Sequence, residues 1–204
     1  MSDSSSAGQM IKFLCEVGKL KHSPRRGWVH QNIPQPETIS GHMYRMAVVS
    51  LICLQSIEEI NLDKVLKLSL VHDIAECIVG DIIPSDNISK EKKHEQELAA
   101  IKSLCELLPN GRAHVLESLF NEYEDQETPE AKLTKDLDRF DMVLQAFQYE
   151  KSETERNGKL AILADFFHED RVLNHIQNPQ IKALIDEILK QRKDFQAKRA
   201  SNSS

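Results

Sequence analysis

Apolar residues recur along this chain at intervals of three and four positions, the spacing that places side chains on one face of an α-helix. The alternation of apolar and polar positions that is typical of strands is nearly absent, and seven glycines provide few turns for a sheet. The pattern predicts an all-α fold of about eight helices. Their approximate ranges are 11–20, 40–58, 62–77, 90–108, 112–123, 129–151, 159–174 and 179–198.

Capping residues mark several helix starts. Ser40, Ser89 and Thr128 each precede a predicted helix, where a hydroxyl can accept an unpaired backbone N–H. Pro129 suits the first helical position after Thr128. The segments between these helices are rich in turn-forming residues, and the loop before Ser40 holds the only tryptophan, Trp28.

The chain length and composition predict one domain. A chain of 204 residues can bury one sizeable core, and no break in composition marks a linker. We expect the domain to span residues 9–195, between disordered polar tails at 1–8 and 196–204.

Charge and cysteine usage narrow the class of protein. A net charge of −6 and a pI near 5.8 argue against binding of nucleic acid, which requires a basic face. The four cysteines form no C-x-x-C motif and fall in apolar segments, so we expect reduced core thiols. Neither a signal peptide nor a transmembrane run is visible, which favours a soluble cytoplasmic protein without membrane partners.

One apolar stretch carries four groups that bind metals or protons. Between Leu70 and Asp81, the chain places His72 beside Asp73, with Glu76 one helical turn later. Buried charges are costly unless they are paired or bound to a metal, so this stretch is a candidate site. Imidazole and carboxylate ligands are those with which divalent ions activate water.

The residues alone leave His72 and Asp73 open between an ion pair and a pair of metal ligands. On the predicted helix their side chains diverge by roughly 100°, so a metal would need ligands from other elements. His42 is one candidate for such a distant ligand. Glu76 lies four residues after His72 and so on the same helix face. The residues leave four roles open for it: general acid, general base, ligand of another ion, or ordinary carboxylate at a helix end.

The sixth helix offers three further carboxylates: Asp136, Asp138 and Asp141. Periodicity does not choose among them. Asp138 lies opposite the main apolar stripe, so it can face a site only if this helix is buried on both sides.

His42, His72-Asp73 and Asp138 follow the order of a known signature, and the chain resembles the HD-domain metal-dependent phosphohydrolases. Longer matches make it similar, over roughly residues 10–150, to the HD-domain 5′-deoxynucleotidases. The matching segments are Gly27-Trp28, 36–46, 71–81, 84–88 and 135–146.

The resemblance implies a helical HD-domain fold around a buried metal site, usually as a homodimer, that hydrolyses deoxyribonucleoside 5′-monophosphates. By position, the first ion is bound by four residues: His42, His72, Asp73 and Asp138. Glu76 manages the proton of the attacking water. Asp81 contacts the sugar or helps to bind a second ion with Glu76 and the backbone of Ile82.

The same resemblance assigns substrate contacts. Trp28 matches the residue that crowds the sugar 2′ position, and the arginine preceding it contacts phosphate, with Arg25 preferred over Arg26. One position departs from the family, because Gly41 stands where Asp or Glu usually precedes the first histidine. The loss of that carboxylate weakens support of the neighbouring ligands.

The implied reaction needs a divalent metal and no organic cofactor. Mn, Co or Mg are expected to support activity, and Zn, Fe or Ni also suit imidazole and carboxylate ligands. Two alternatives stay open: another HD-type phosphohydrolase acting on cyclic or polyphosphorylated nucleotides, or a metal-stabilised interaction module without turnover.

Overall fold

Helices dominate the parts of the chain that the computed structural model describes, residues 6–55, 57–170 and 172–201. The all-α prediction is confirmed. Within the described ranges there are nine α-helices: α1 Ser6–Gly18, α2 Arg26–His30, α3 Ile39–Val48, α4 Leu62–Ser69, α5 Glu76–Val79, α6 Lys90–Cys105, α7 Asn110–Asp125, α8 Pro129–Asn157 and α9 Pro179–Ser201.

The helix starts follow side-chain caps, with one correction. Ser89 and Thr128 accept backbone N–H groups at the starts of α6 and α8, as predicted. The second predicted helix is instead capped by Thr38, whose Oγ1 accepts the Gly41 N–H over 3.1 Å, and not by Ser40. This helix continues as a π-helical turn, Val49–Cys53, and does not reach Glu58.

The third predicted helix is wrong in its second half. After α4, residues 70–75 form consecutive turns, and α5 begins only at Glu76. The amides of Val71 and Ile74 bond three residues back, to Leu68 and Val71, rather than four. His72 and Asp73 therefore lie on a tight turn segment and not on a regular helix.

The seventh predicted helix is also wrong, because the helical turns among the described residues 159–170 and 172–174 are 3₁₀ turns, at Ala164–Phe167 and Leu173–His175. Side chains of α8 bind two backbone amides of this segment. Thr154 Oγ1 accepts the Ala161 N–H over 2.9 Å, and the Glu150 carboxylate accepts the Leu163 N–H over 2.7 Å. Trp28 lies in α2, a short helix in the region predicted as loop.

The helices divide between two compact units, one up to Ala131 and the other from Lys132. The core cluster of the first unit consists of buried side chains from the 3₁₀ turn Lys19–Lys21, α3, the 70–79 segment, α6 and α7. Its members are Leu20, Ile39, Met43, Ile74, Ala75, Cys77, Ala100, Ile101, Leu104, Leu116 and Phe120. The 70–79 segment thus carries both core side chains and candidate site residues.

The stripe predicted for the first helix, at Ile11, Leu14, Val17 and Leu20, is buried only at its end, where Leu20 belongs to the core cluster. Ile11 is 60% exposed and Leu14 is 54% exposed, while Phe13 and Val17 pack against the core cluster. Helix α1 begins at Ser6, and α9 continues to Ser201. The remainder of the predicted tails, residues 1–5 and 202–204, lies outside the described residues.

In the second unit, buried polar groups connect α8 to α9. Glu150 is fully buried and accepts two hydrogen bonds from Arg192, at 2.7 and 2.8 Å. The Arg192 guanidinium also lies 3.8 Å from the centre of the Phe167 ring. A buried charge is tolerated only with such partners.

All four cysteines are free thiols, but the core placement predicted for them is only partly right. Cys77 is buried and Cys105 half-buried, whereas Cys15 and Cys53 are exposed. No helix in the described ranges is both long enough and apolar enough to cross a membrane.

Candidate metal and nucleotide site

Three predicted ligands come together in the first unit. His42 projects from the first turns of α3, while His72 and Asp73 come from the turn segment between α4 and α5. One ligand atom of each lies within 4.8 Å of one ligand atom of each of the others. His72 Nε2 is 3.3 Å and His42 Nε2 is 3.9 Å from Asp73 Oδ2.

The orientation of His72 fits a metal ligand. Its Nδ1–H donates to the Ser69 carbonyl over 3.0 Å, which leaves the lone pair on Nε2. That Nε2 atom is buried and has no hydrogen-bond partner among the described residues. A buried acceptor next to a carboxylate and a second imidazole is a donor set that a divalent cation would complete.

Asp73 stays ionised despite its surroundings. Burial by itself would raise the pKa of Asp73, but the charge and hydrogen bond of His72 in its protonated form, and then the charges of Arg25 and His42, lower it below its ordinary value. Arg25 Nη1 donates to Asp73 Oδ2 over 2.9 Å. An anionic carboxylate is the form that binds cations.

Backbone pairing holds Arg25 in this position. Pro24 and Thr38 form an isolated antiparallel bridge, in which Arg25 N–H donates to the Glu37 carbonyl over 2.9 Å. The Ile39 N–H donates to the Ser23 carbonyl at the same distance. The segment before α2 is therefore fixed against the start of α3, which carries His42.

Glu76 is buried at the start of α5. Its Oε2 has no hydrogen-bond partner in the described part of the chain. Burial, together with the negative charges of Asp73 and Asp81, raises the pKa of Glu76 well above its ordinary value. A carboxyl in this environment can carry a proton or receive a cation, so the helix-end surface alternative does not fit.

Asp81 lies in a loop, as predicted, and is held by the backbone of α2. Asp81 Oδ2 accepts the Arg26 N–H over 2.6 Å. The Arg26 side chain forms two hydrogen bonds with Asp86, at 2.6 and 2.7 Å. Of the two candidate arginines, Arg25 is thus the one directed at the ligand cluster. Ile82 follows Asp81 in the loop, half-buried.

Trp28 is 2% exposed, so its indole packs in the interior. Its Nε1–H donates to Glu37 Oε1 over 2.9 Å. This bond connects α2 to the segment preceding α3, and fixes the plane of the indole ring. Trp28 therefore fills the space between two segments that also hold Arg25 and His42.

Gly41 occupies the third position of α3 and is exposed. A Cβ placed there would meet only the Thr38 hydroxyl, at 3.3 Å. The position belongs to the helix cap, where an acidic side chain would find both the backbone amides and the positive end of the helix.

The three aspartates of α8 have different surroundings in the second unit. Asp136 Oδ2 accepts the N–H groups of Gln177 and Asn178, both at 2.8 Å, so this carboxylate is engaged by the backbone. Asp138 accepts from Lys135 Nζ over 2.8 Å. Asp141 is fully buried.

Helix α8 also meets the condition set for Asp138. Leu137 and Phe140 on the main stripe are buried, and so are Val143 and Ala146 on other faces. An aspartate opposite the stripe is therefore not forced into solvent. The choice of Asp138 as the fourth ligand stays a prediction.

Sequence reasoning did not identify two residues that shape the cluster. The Ser69 carbonyl orients His72, and the Tyr123 ring lies 5.0 Å from the His72 ring centre. Ser69 was detectable only with knowledge of the turn at 70–75. Tyr123 comes from α7 by tertiary packing, for which no local pattern exists.

The sequence matches known proteins along most of its length. The family model for the HD domain matches residues 17–182. The chain is 43% identical to the mouse (Mus musculus) 5′-deoxynucleotidase HDDC2 over 94% of this chain and 92% of that protein. Identity to the 5′-deoxynucleotidase hdd1 of Schizosaccharomyces pombe is 39%, over 92% of each.

Solved structures share the fold. A predicted metal-dependent phosphohydrolase from Magnetospirillum magnetotacticum superposes with a TM-score of 0.70 at 25% identity, covering 96% of this chain and 95% of that one. The PH0347 protein from Pyrococcus horikoshii gives 0.69 at 29% identity, covering 89% and 97%. The chain belongs to the HD domain family, and the predicted family membership is confirmed.

Proposed function

We propose that this protein is a metal-dependent 5′-deoxynucleotidase, a phosphoric monoester hydrolase that converts deoxyribonucleoside 5′-monophosphates to deoxyribonucleosides and phosphate. The observation that carries this proposal is the convergence of His42, His72 and Asp73 with Arg25 beside them. Relatives named 5′-deoxynucleotidase, at 39 to 43% identity over nearly the whole chain, support the same substrate class.

The first ion would be held by His42, His72, Asp73 and Asp138. A second ion would take Glu76, Asp81 and the backbone of Ile82. When bound, such ions favour ionisation of water and offset negative charge on phosphoryl oxygens. Mn, Co or Mg are the proposed activating ions, with Zn, Fe or Ni as other occupants. Imidazole together with carboxylates suits Mn, Fe, Co, Ni and Zn, and carboxylate and carbonyl oxygens suit Mg.

Three residues would bind the substrate or transfer the proton. Arg25 would bind the phosphate, since its guanidinium already lies at Asp73 and can form paired hydrogen bonds to phosphoryl oxygens. Glu76 would accept the proton of the attacking water, from its buried position one turn after Asp73. Asp81 would contact the sugar.

Trp28 would select against ribonucleotides. Its indole is buried and fixed by Glu37, so it cannot easily move aside for a 2′-hydroxyl. A rigid apolar wall rejects an added hydroxyl by sterics and by leaving it without a hydrogen bond. Nucleic acid is not a proposed partner.

We also propose a homodimer. Apolar side chains remain at the surface of the first unit, including Leu51 at 61% and Ile52 at 71% exposure, and Leu184 on α9 is 37% exposed. Exposed apolar side chains are typical of surfaces that a partner covers. Light scattering at micromolar concentration tests this proposal, and a monomeric mass contradicts it.

The decisive experiment measures phosphate release from matched deoxy- and ribonucleoside 5′-monophosphates with Mg, Mn, Co or Zn. We expect release from the deoxynucleotides only with added metal. Equal rates on both series would exclude Trp28 as a selector. Hydrolysis of cyclic or polyphosphorylated nucleotides in place of monophosphates would favour the alternative HD activity.

Two variants separate catalysis from structural metal binding. Asp73→Asn should abolish release while the protein stays folded, because the amide is neutral and isosteric. If wild type releases no phosphate from any nucleotide but His72→Ala lowers the melting temperature in the presence of metal, the protein is an interaction module. Full activity in Asp73→Asn would exclude the ligand assignment.

A further inference from the structure

The loop that carries Asp81, residues 80–87 (the 80–87 loop), is attached to α2 through Arg26. The Arg26 N–H donates to Asp81 Oδ2 over 2.6 Å, and Arg26 Nη1 donates to the Asp81 carbonyl over 3.0 Å. The main chain of Arg26 thus binds the side chain of Asp81, and the side chain of Arg26 binds the main chain of Asp81.

The same guanidinium also binds the carboxylate of Asp86. Nη1 and Nη2 of Arg26 donate to Asp86 Oδ2 and Oδ1, at 2.6 and 2.7 Å. Asp86 Oδ2 also accepts the Ile83 N–H over 3.0 Å. A paired arginine–carboxylate contact restricts direction as well as distance, so Arg26 bridges the start and the end of the 80–87 loop.

Without this bridge, the 80–87 loop has few restraints from its own backbone. It begins at Gly80, whose φ of 76° is a conformation that side-chain-bearing residues rarely adopt, and it ends at Asn87 with φ of 54°. Between them only the 3₁₀ turn Pro84–Asp86 is regular. The position of Asp81 therefore depends on contacts from outside the loop.

Arg26 and Asp86, which form the bridge, are both charged at neutral pH. The Arg26 hydrogen bond lowers the pKa of Asp86, with a smaller effect from the Ile83 amide. Arg26 itself is about half exposed, so the bridge contributes little to global stability. Its consequence is local.

We propose that Arg26 is a positioning residue for the hydrolysis reaction, acting through the 80–87 loop to set Asp81 against the substrate, whereas its neighbour Arg25 contacts the phosphate. This inference rests on the proposed nucleotidase function for its catalytic part. The two consecutive arginines then have separate roles, one toward the substrate and one toward the loop that carries Asp81.

Hydrogen exchange tests the structural part without any substrate. In Arg26→Gln, deuterium uptake of the peptide covering residues 80–89 should become faster, while uptake of the core helices α6 and α7 stays unchanged. Arg156→Gln is the matched control, because Arg156 forms an exposed pair with Glu153. Uptake in Arg26→Gln that equals wild type and the control would overturn the proposal.

A double-mutant cycle tests the catalytic part. Arg26→Gln should lower kcat/KM on a deoxynucleoside monophosphate about 10- to 100-fold, the effect expected for misplacing a contact by about an ångström. Combined with Asp81→Ala it should cause no additional loss, since the residue through which it acts is gone. An equal loss in the Asp81→Ala background would overturn the positioning role.

The two parts fail separately. A wild-type protein without turnover of any deoxynucleotide would overturn the proposed function and with it the catalytic role of Arg26. The hydrogen-exchange result would still decide whether Arg26 holds the 80–87 loop.

Discussion

Arg25 and Asp73 are joined by a 2.9 Å hydrogen bond between Nη1 and Oδ2, and both side chains are largely buried. His42 and His72 approach the same Asp73 oxygen. An arginine and two imidazoles thus lie close to one carboxylate oxygen. In the proposed enzyme, this arrangement keeps a phosphate-binding cation directly beside the metal ligands.

The first prediction concerns Arg25. Arg25→Gln removes a charged donor from the proposed phosphate site and should reduce kcat/KM for deoxynucleotides by about 10- to 100-fold, since a hydrogen bond to a charged group contributes about 1.5–3 kcal/mol. The steady-state rate against substrate concentration measures this loss. Arg45→Gln, which removes a guanidinium paired with Glu37, is the control. Unchanged kcat/KM in Arg25→Gln would show that the phosphate binds elsewhere.

A second prediction concerns the departure at Gly41. Gly41→Glu should raise the free energy of unfolding by about 1–2 kcal/mol, because it removes a helical glycine and places a carboxylate at the third position of α3. The Thr38 hydroxyl, 3.3 Å from the new Cβ, must shift by a few tenths of an ångström. Urea denaturation measures the gain.

Gly41→Ala separates the contributions, since it restores helix propensity without charge. We expect kcat to stay unchanged in both variants because position 41 is exposed. A large rise in kcat for Gly41→Glu would instead indicate that a carboxylate at this position supports the metal ligands.

A third prediction uses the pH dependence of Glu97, a buried residue of α6. Burial raises the pKa of Glu97 above its ordinary value of 4.5, and Lys93 offsets this only in part. A carboxyl whose pKa is higher in the folded protein is favoured when protonated, so its contribution to stability falls as pH rises above about 4.5.

Glu97→Gln should therefore raise the melting temperature by a few degrees at pH 7, and the difference from wild type should vanish near pH 4. Glu95→Gln on the same helix is the control, because Glu95 is exposed. A Glu97→Gln variant that melts below wild type at pH 7 would mean that the ionised carboxylate is stabilised by a partner such as a bound cation.

The fourth prediction concerns the buried pair in the second unit. Glu150→Gln should lower the free energy of unfolding by about 3–5 kcal/mol, because it leaves the Arg192 charge unbalanced in the interior. Glu153→Gln, which breaks a surface pair three residues further along α8, should cost about 1 kcal/mol or less. Equal losses in the two variants would contradict the role of burial.

The sequence predicted the site better where its residues are neighbours than where they are distant. His72, Asp73 and Glu76 stood out because charged groups interrupt an apolar stretch, a local signal. His42 was only one candidate for a distant ligand, and the choice of Asp138 among three aspartates came from the family resemblance. The turn at 70–75 was hidden, because hydrophobic periodicity does not report backbone bonds three residues apart or the contact of a His72 ring nitrogen with the Ser69 carbonyl.

Two further predictions failed because tertiary contacts, which a local pattern does not contain, decide the structure. Residues 159–174 contain apolar positions at helical spacing, but Thr154 and Glu150 of α8 bind the amides of Ala161 and Leu163. Likewise, α1 has an amphipathic pattern yet leaves Ile11 exposed. In each case, contacts from another part of the chain, or their absence, decided what a local pattern left undetermined.

Asp136 has a consequence for the order of folding. Its bonds to the amides of Gln177 and Asn178 span 41 and 42 positions in sequence. Such bonds form only after a long chain segment has closed on itself, at an entropic cost that local helix formation does not carry. The anchoring of α9 should thus follow the formation of α8 in time. A polypeptide that stops before Gln177 would leave the Asp136 carboxylate hydrated by water instead of bound to these two amides.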